Sequence, residues 1–480
     1  MIVVGAGLQQ HLEILADARV PLRLVREVDA GGRLGDSAVA GVVTALRGFL
    51  AVSRNAGAEA LVAVATAAVR ESANRDDFMR QVADASGVEL EVLDGDREAR
   101  YAFAGAVHGL PVESGFVVDI GCGSVEVCHF GHRRALRQWT LPLGALRLSD
   151  RFLRSDPPTP GEVERLRAFV VASLRGAGVP ALGPGEQLVG TGGTLRNLAK
   201  LDRAHRTYPI LRLHGYRLDA EAIDLAASRL GARPLAHRQQ LCGLSHARAD
   251  SIVGGALCAQ ALLSAMSADE VQVAGSGLRE GIALERLGLE MRSAIGLRNA
   301  SVAALAGRFA TWDRTRARLR WAIAAALLDG LAAKTDGVLQ EVLDQASVLV
   351  DIGRSVDFYS RWKHAADIVA NSDLYGFDHR RLVLLSALLE KAGEDRITLP
   401  GYRAVLSRPD RAALERLAVI LAVADELGRR LSASVRVRVQ SWRNVVTLLI
   451  TEDIGQLEEE THRRFERCFG KRLRVEFAAG

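Results

Sequence analysis

Cysteine is scarce in this chain, and its few copies are scattered. The 480 residues contain five cysteines, and no two of them form a CxxC pair. Structural zinc sites and disulfide frameworks need cysteines at close or regular spacing, so the sequence argues against both. Such usage is typical of a reducing compartment, and we predict a cytoplasmic protein.

Long apolar runs and a secretory leader are also missing. No uninterrupted stretch reaches the ~18 apolar residues that a membrane-spanning helix needs. The N-terminal sequence MIVVGAGLQQHLEIL has neither the basic segment nor the cleavage site of a signal peptide. We therefore expect no membrane partner.

Lysine is nearly absent, since it occupies only five positions although lysine and arginine together number 62. The positive charge is thus almost wholly arginine, whose planar guanidinium suits phosphate. The same bias also arises when a genome favours arginine over lysine in all of its proteins. The net charge of +5 includes no separate basic block, so nucleic acid is not an expected partner.

The rest of the composition is that of an ordinary globular protein, with 49% hydrophobic and 25% charged residues. In the first part of the chain, short β-rich runs alternate with amphipathic stretches, which is typical of an α/β fold with a largely parallel sheet. Strands are predicted at Ile2–Gly5, Leu12–Ile14, Ala60–Ala65, Val88–Val92, Gly115–Ile120, Ser124–Phe130, Gln187–Gly190 and Glu270–Ala274.

After Leu287 the pattern changes to helical periodicity with Ala/Leu-rich faces, from Leu305 to Arg430. The tail then returns to strand-like and helix-like segments, with a helix expected at Asp453–Phe469. We predict four domains, at residues 1–114, 115–287, 288–432 and 433–480. The first two are α/β, the third is helical and the last is a small α+β domain.

The most informative stretch is VVDIGCGSVE, in which an apolar strand ends in Asp119 and a glycine turn follows at Gly121–Ser124. Glu126 lies on the returning strand, so the two carboxylates can face one site. Hard divalent cations prefer such oxygen ligands, and the N–H groups of the turn suit phosphate oxygens. An exposed acidic pair on a β-hairpin fits the same residues.

Two further segments place a charged side chain near the start of a helix. Arg70 follows Thr66 by about one turn, and a hydroxyl beside an arginine is a good phosphate clamp. Thr66 as a helix N-cap with an exposed arginine is the alternative. Glu98 lies in the first turn of the next helix, where it could act as a general base or simply complement the helix dipole.

The segment GTGGT at Gly190–Thr194 joins a strand to a helix start and can cradle a phosphate group. Glycine turns are common, so this signal is weak when taken alone. Arg248 opens a later helix after a loop.

Together and in this order, these segments resemble the exopolyphosphatase / guanosine pentaphosphate phosphatase family. The matching stretches are ATAAVRESAN, DGDREARYAFAGAV, VVDIGCGSVEV, LPLGALRLSDRF, VGTGGTLRNLA, HARADSIVGGA and GSGLREGIALE. The resemblance implies an actin-like pair of ribonuclease-H-like domains with a phosphate-binding cleft between them. It also implies Mg²⁺-dependent (or Mn²⁺-dependent) hydrolysis of the terminal phosphoanhydride of inorganic polyphosphate or of guanosine pentaphosphate (pppGpp), and a homodimer.

The resemblance also assigns roles to individual residues. Glu98 corresponds to the catalytic base, and Asp119 and Glu126 correspond to metal ligands. The substrate phosphate-binding residues that it implies are Thr66, Arg70, Gly121, Gly123, Ser124, Gly192, Gly193, Thr194 and Arg248. A catalytically weak sensor of polyphosphate or (p)ppGpp would use the same cleft and is the alternative function.

Some positions depart from the family pattern. Cys122 and Val125 stand where the family usually has Gly and Thr. The family opens with an Asp-x-Gly-Ser/Thr-Asn strand and turn, whereas Met1–Gly5 looks like the strand that follows this turn. We therefore expect the natural protein to begin upstream, and the first domain to lack its first strand.

The helical region resembles the HD-like third domain of long-form relatives. Val350 stands where those domains have the histidine that precedes Asp351, and His364 is isolated. Without the histidine ligand the usual metal set cannot form. We therefore expect a degenerate HD-like domain that is structural or contributes to a polyphosphate channel.

Overall fold

The computed structural model describes residues 1–7, 12–331, 335–432 and 435–477. The chain divides into two compact units. The first contains Met1–Arg206 and Arg212–Leu297, and the second contains Thr207–Leu211 and Arg298–Gly480. The predicted domain boundary at residue 433 lies outside the described residues.

The first unit begins with a small lobe, the first lobe. Its strands and helices are β1 (Ile2–Ala6), β2 (Leu12–Asp17), α1 (Val25–Gly31), α2 (Asp36–Asn55), β3 (Val64–Ala65), α3 (Ala67–Arg70), α4 (Arg75–Ser86) and β4 (Glu91–Val92). In this lobe β1 pairs antiparallel with β2, and β3 pairs parallel with β4, as two separate sheets. The strand predicted at Ala60–Ala65 is thus only two residues long.

A second lobe follows α5 (Gly95–His108). Its elements are β5 (Gly115–Ile120), β6 (Val125–Gly131), β7 (Arg134–Leu141), α6 (Ala145–Phe152), α7 (Pro160–Gly176), β8 (Gln187–Thr191), α8 (Gly192–Ala204), β9 (Tyr216–Asp219), α9 (Ala220–Gly231), α10 (Leu235–Arg238), α11 (Ile252–Ala265) and β10 (Glu270–Val273). The strands form one six-stranded sheet in the order β7-β6-β5-β8-β10-β9. The α/β prediction is therefore confirmed, although β7 and β9 were not predicted.

Two helices cross between the lobes, α5 and α12 (Leu278–Arg286). Helix α5 lies on the six-stranded sheet, while α12 packs against α5 and contacts β1. The crossing requires glycine, since a Cβ on Gly105 would lie 1.9 Å from the carbonyl oxygen of Gly277. A Cβ on Gly281 would lie equally close to the carbonyl oxygen of Tyr101. The backbones of α5 and α12 thus touch directly, and both lobes are anchored to this contact.

Helix α2 is long and apolar enough, by length and composition, to cross a membrane. It is the one helix of the described residues with this property. Two of its residues, Ala38 and Val42, pack against Phe78 and Val82 of α4 in the core of the first lobe.

The second unit is mainly helical. Its elements are α13 (Ala294–Gly307), α14 (Arg314–Gly330), α15 (Gly337–Leu349), α16 (Arg361–Asn371), α17 (His379–Glu394), α18 (Arg408–Gly428), β11 (Arg438–Trp442), β12 (Val445–Ile450), α19 (Glu459–Phe469) and β13 (Arg472–Phe477). A three-stranded sheet in the order β11-β12-β13 closes the tail. The predicted tail helix begins later than expected, at Glu459 instead of Asp453.

A buried ion cluster lies among the helices of this unit. The guanidinium of Arg320, with no exposed surface, donates to Asp351 Oδ2 at 2.7 Å and to Asp425 Oδ1 at 2.8 Å. Arg361 donates to the other oxygen of Asp425 at 2.8 Å. Both aspartates are therefore neutralised by arginine. The expected lack of a metal set at Asp351 and the relation to HD domains stay predictions.

Candidate active site

The hairpin of β5 and β6 places Asp119 directly opposite Glu126. Asp119 is partly buried, and Glu126 is only 3% exposed. The alternative interpretation, an exposed acidic pair on a β-hairpin, is therefore wrong. Two carboxylates are instead held side by side at the end of the central strand of the sheet.

The glycine turn after β8 lies against Asp119 because β8 runs parallel to β5 and places Thr191 next to it. Gly192 has a φ of +89°, and a Cβ there would lie 2.4 Å from Asp119 Oδ1. A Cβ on Gly193 would lie 2.5 Å from Arg248 Cζ. Glycine is required at Gly192 because of its φ and the nearby backbone of Ile120, whereas a side chain at Gly193 would displace the guanidinium of Arg248.

Arginines surround Asp119. Burial raises the pKa of the Asp119 carboxyl, while the positive charges of Arg196 and Arg248 oppose this increase. Arg196 is positioned by a hydrogen bond to the carbonyl oxygen of Gly275 at 2.7 Å. Sequence reasoning found Arg248 and missed Arg196, although Arg196 follows Thr191 at nearly the spacing by which Arg70 follows Thr66.

The first lobe contributes an ion pair between Arg70 and Glu98. Arg70 Nη1 donates to Glu98 Oε2 at 2.8 Å and to the carbonyl oxygen of Leu93 at 2.9 Å. Thr66 occupies the N-cap position of α3, but its side chain hydrogen-bonds to Glu98 and not to the helix. The predicted N-cap position of Thr66 is therefore confirmed, whereas the exposed arginine of that alternative is wrong, since Arg70 is partly buried and ion-paired.

The start of α5 fixes the position of Glu98. The side chain of Asp94 caps this helix by accepting a hydrogen bond from the backbone N–H of Arg97 at 2.7 Å. Glu98 follows in the first turn and is 8% exposed. A buried, ion-paired carboxylate at this point does more than complement the helix dipole.

The three carboxylates influence one another. Burial raises the pKa of Glu98, and the hydrogen bond from Arg70 opposes this increase. The negative charge of Asp119 raises the pKa further. The pKa of Glu126 lies well above its ordinary value because of burial and the charges of Glu98 and Asp119. Oε1 of Glu126 is buried without a hydrogen-bond partner. The negative charge of Glu126 is thus disfavoured and one of its oxygens lacks a partner, and the oxygen donors of the site fit a hard divalent cation.

The described residues contain no group of three His, Cys, Asp or Glu side chains arranged to hold a metal ion. Mg²⁺ needs only one or two carboxylates when water and substrate phosphate oxygens complete its coordination. The pair of Asp119 and Glu126 is therefore sufficient in donor type and number.

Two predicted phosphate-binding hydroxyls point elsewhere. Ser124 is 4% exposed, and its side chain hydrogen-bonds to Glu126. Thr194 is 1% exposed and packs against Gly255 of α11. Any contribution of these residues to phosphate binding would come from the backbone or through Glu126, since neither hydroxyl is open to a substrate.

The turn at Gly121–Ser124 is supported by the start of α6. The carbonyl oxygens of Gly121, Cys122 and Gly123 accept hydrogen bonds from backbone N–H groups of residues 144–147. Gly123 also lies close to Val25 of the first lobe. The side chain of Cys122 lies 3.4 Å from Arg248 Nη1. The unusual cysteine therefore lies beside Arg248.

Ion pairs join the two lobes on the same side. Arg26 binds Asp150 at 2.8 Å, and Arg147 binds Glu71 at 2.6 Å. Arg23 pairs with Asp250. Sequence reasoning did not identify these pairs, since their partners are far apart in the chain. They join the two lobes directly.

Glu126→Gln is expected to stabilise the first unit at pH 8 in the presence of EDTA. The change removes a buried charge with an unpaired oxygen, which costs about 1–3 kcal/mol and corresponds to about 2–4 °C in Tm per kcal/mol. Because folding raises the pKa of Glu126, the folded protein loses stability as the pH rises through the pKa of the folded state. The advantage of glutamine should therefore disappear in acid.

Calorimetry of both proteins across pH measures this difference. Glu164→Gln, at an exposed position on α7, is the matched control and should leave Tm unchanged. A lower Tm of Glu126→Gln at pH 8 would contradict the account of Glu126 as a disfavoured charge.

Comparison with known proteins agrees with this geometry. A family model described as the Ppx/GppA phosphatase family matches residues 3–290. A second, described as Ppx/GppA phosphatase, domain III, matches residues 297–458. The resemblance found in the sequence is therefore confirmed along most of the chain.

Individual relatives give the same result. Exopolyphosphatase 1 of Mycobacterium leprae is 33% identical over 300 residues, covering 60% of this chain and 86% of that protein. Exopolyphosphatase 2 of Mycobacterium tuberculosis is 33% identical over 301 residues, covering 59% of this chain and 93% of that protein. The crystal structure of the Aquifex aeolicus Ppx/GppA family member matches with a TM-score of 0.51 and 28% identity, covering 59% of this chain and 92% of that protein. Because the first family model covers more than half of the chain, the protein belongs to the Ppx/GppA phosphatase family.

Proposed function

We propose that the protein hydrolyses the terminal phosphoanhydride of inorganic polyphosphate and releases orthophosphate. The relatives named exopolyphosphatase support the substrate class. The observation that carries the proposal is the ion pair of Arg70 with the buried Glu98, coupled electrostatically to Asp119 and Glu126. A base, a phosphate-binding cation and two cation ligands are what phosphoanhydride hydrolysis by water requires.

In this mechanism Glu98 accepts a proton from the attacking water. Its raised pKa makes it a stronger base than an ordinary glutamate, and it must be deprotonated to act. The hydrogen bond from Arg70 keeps the carboxylate oriented and favours its charged form. Arg70 also reaches the carbonyl of Leu93, so its guanidinium is held in place before substrate arrives.

Phosphate groups are bound by charge and by backbone donors. Arg248 lies over Gly193 at the start of α8. The positive end of this helix and its free N–H groups favour phosphate oxygens. Arginine stabilises the charge that develops on the transferred phosphoryl group without forming a covalent bond.

Asp119 and Glu126 would hold Mg²⁺ or Mn²⁺. When bound, such a cation neutralises negative charge between these carboxylates and the substrate phosphates. The unpartnered oxygen of Glu126 is the observation that favours this assignment.

Orthophosphate release from long-chain polyphosphate, measured with and without Mg²⁺, tests the proposal. Shortening of the chains from the ends is expected, and binding without release would favour a sensor instead. Faster release of orthophosphate from pppGpp than from polyphosphate would show that pppGpp is the preferred substrate.

Arg248→Met is expected to lower kcat/KM for polyphosphate by about 10- to 100-fold, the worth of a charge-assisted hydrogen bond of about 1.5–3 kcal/mol. Methionine keeps the length of the side chain and removes the charge. Arg229→Met, at an exposed position on α9, should change kcat/KM little. Equal activity of the wild type and Arg248→Met would exclude Arg248 from substrate binding.

A further inference from the structure

The second unit carries an open surface on its three-stranded sheet of β11, β12 and β13. One face of this sheet packs on the helices, since Val439 of β11 lies against Gly330 of α14 and Leu473 of β13 is buried in the helical core. Because successive side chains of a strand point to opposite faces, the intervening residues share the other face, the outer face. The buried residues of β12 in the same core are Val446, Leu448 and Ile450.

The strand register shows how the outer face is arranged. Three rows of side chains cross the sheet. They are Trp442, Val445 and Arg472 in the first row, Gln440, Thr447 and Arg474 in the second, and Arg438, Leu449 and Glu476 in the third. The residues that β11 and β13 contribute are exposed, and those of β12 are partly buried. The outer face is therefore open to solvent along both of its edges.

Positive charge dominates the outer face. Neither Arg438 nor Arg474 has an acidic partner within the described part of the chain. Arg472 lies 3.9 Å from Glu466, but the two side chains are 74% and 61% exposed, so this pair contributes little. The carboxylate of Glu476 is the acidic group of the face. Apolar residues separate the arginines along each strand, which is why the sequence shows no basic block and did not predict a nucleic-acid partner.

An aromatic side chain lies at one end of the outer face. Trp442 is 75% exposed, and Cζ of Arg443 lies 5.9 Å from the centroid of its ring. A large apolar ring that stays in contact with water is stabilised when a partner covers it. Single-stranded nucleic acids are bound by such a combination, in which bases stack on aromatic rings while basic side chains contact the backbone.

Other polyanions would use only part of this surface. Polyphosphate would pair with the arginines, but it has no apolar surface with which to cover Trp442 and Leu449. A nucleic-acid duplex presents phosphates while its bases stay stacked inside, so no base face reaches the indole. An unpaired strand presents phosphates and bases together. The arrangement of ring and charges therefore favours an unpaired strand.

We propose that the outer face binds single-stranded nucleic acid, with one base stacked on Trp442 and backbone phosphates paired with Arg438, Arg472 and Arg474. The contact tolerates any sequence, because stacking needs only the π-face that every base has and the phosphates are the same in every nucleotide. None of the residues assigned to phosphoanhydride hydrolysis takes part.

Fluorescence anisotropy tests this, with a labelled 12-nucleotide oligo(U) RNA titrated with the full chain in EDTA. Trp442→Ala is expected to raise Kd about 5- to 150-fold, the usual contribution of one stacked base. Trp442→Phe keeps an aromatic ring and should retain most of the affinity. Tyr359→Ala is the matched control, because Tyr359 is 89% exposed and lies outside the sheet. It should leave Kd unchanged.

Salt dependence tests the phosphate contacts separately. The double variant Arg438→Gln with Arg474→Gln should bind more weakly and should reduce the fall of log K with log salt by about 1.4, which is about 0.7 for each lost contact. Arg416→Gln, at an exposed position on α18, is the control and should change neither quantity.

Absence of RNA binding by the wild-type chain would overturn the proposal. An unchanged Kd for Trp442→Ala, with loss of binding in the double arginine variant, would show a general polyanion surface and would also overturn it. So would displacement of the RNA by 12-phosphate polyphosphate at a lower concentration than by unlabelled oligo(U). No readout requires enzyme activity, so the result is independent of the proposed function.

Discussion

Glu98→Gln is expected to lower polyphosphate turnover by about 10²–10⁴-fold, the usual contribution of a general base. Glutamine keeps the shape of the side chain and can still contact Arg70, but it cannot accept the proton of the attacking water. Substrate binding should survive, since the phosphate contacts come from other residues. The loss should therefore appear in kcat rather than in KM.

The pH dependence gives a second readout of the same residue. Burial raises the pKa of Glu98, and only the deprotonated form is a base. Activity of the wild type should therefore rise with pH through a value above that of an ordinary glutamate and then level off. In Glu98→Gln the remaining activity should lack this acidic limb.

Asp96→Asn is the matched control, because Asp96 is exposed in the same first turn of α5. It changes the charge at the helix start by the same amount, without touching the Arg70 pair. If Asp96→Asn lost as much turnover as Glu98→Gln, the helix dipole rather than a base would explain the effect. Near-wild-type turnover of Glu98→Gln would refute the assignment directly.

Arg320→Met is expected to destabilise the second unit by about 3–5 kcal/mol, the cost of breaking a buried ion pair from one side. Arg320 has no exposed surface and donates to Asp351, to Asp425 and to the carbonyl oxygen of Ser347. Methionine fills similar space but leaves the two carboxylates with too little positive charge. Arg361 and Arg429 still pair with Asp425, whereas the more distant Arg354, at 3.8 Å, is what remains beside Asp351.

Urea unfolding followed by tryptophan fluorescence measures this change. Four of the five tryptophans, Trp312, Trp321, Trp362 and Trp442, belong to the second unit, so the signal reports mainly on it. Arg318→Met, at an exposed position on the same helix, is the control. Addition of Asp351→Asn to Arg320→Met should restore part of the stability. No loss on Arg320→Met would show that the cluster is not structural.

The local features of the site could be predicted because their signals are local. The apolar run at Gly115–Ile120 is a strand with the predicted bounds. Its glycine turn forces the chain back, so Asp119 and Glu126 had to become neighbours. Strand β7 was missed because it alternates only weakly between exposed and buried positions. Strand β9 was missed although its four residues alternate between buried and exposed positions.

Hydrophobic periodicity and turn chemistry act between near neighbours, so the α/β and helical parts and the residues of the hairpin and glycine turns could be predicted from the sequence. The family followed from the resemblance of the motifs in their order. Tertiary structure alone decided which charges meet. Arg320 is 105 residues from Asp425, and Arg147 is 76 residues from Glu71. Only the packing of helices and lobes sets such distances.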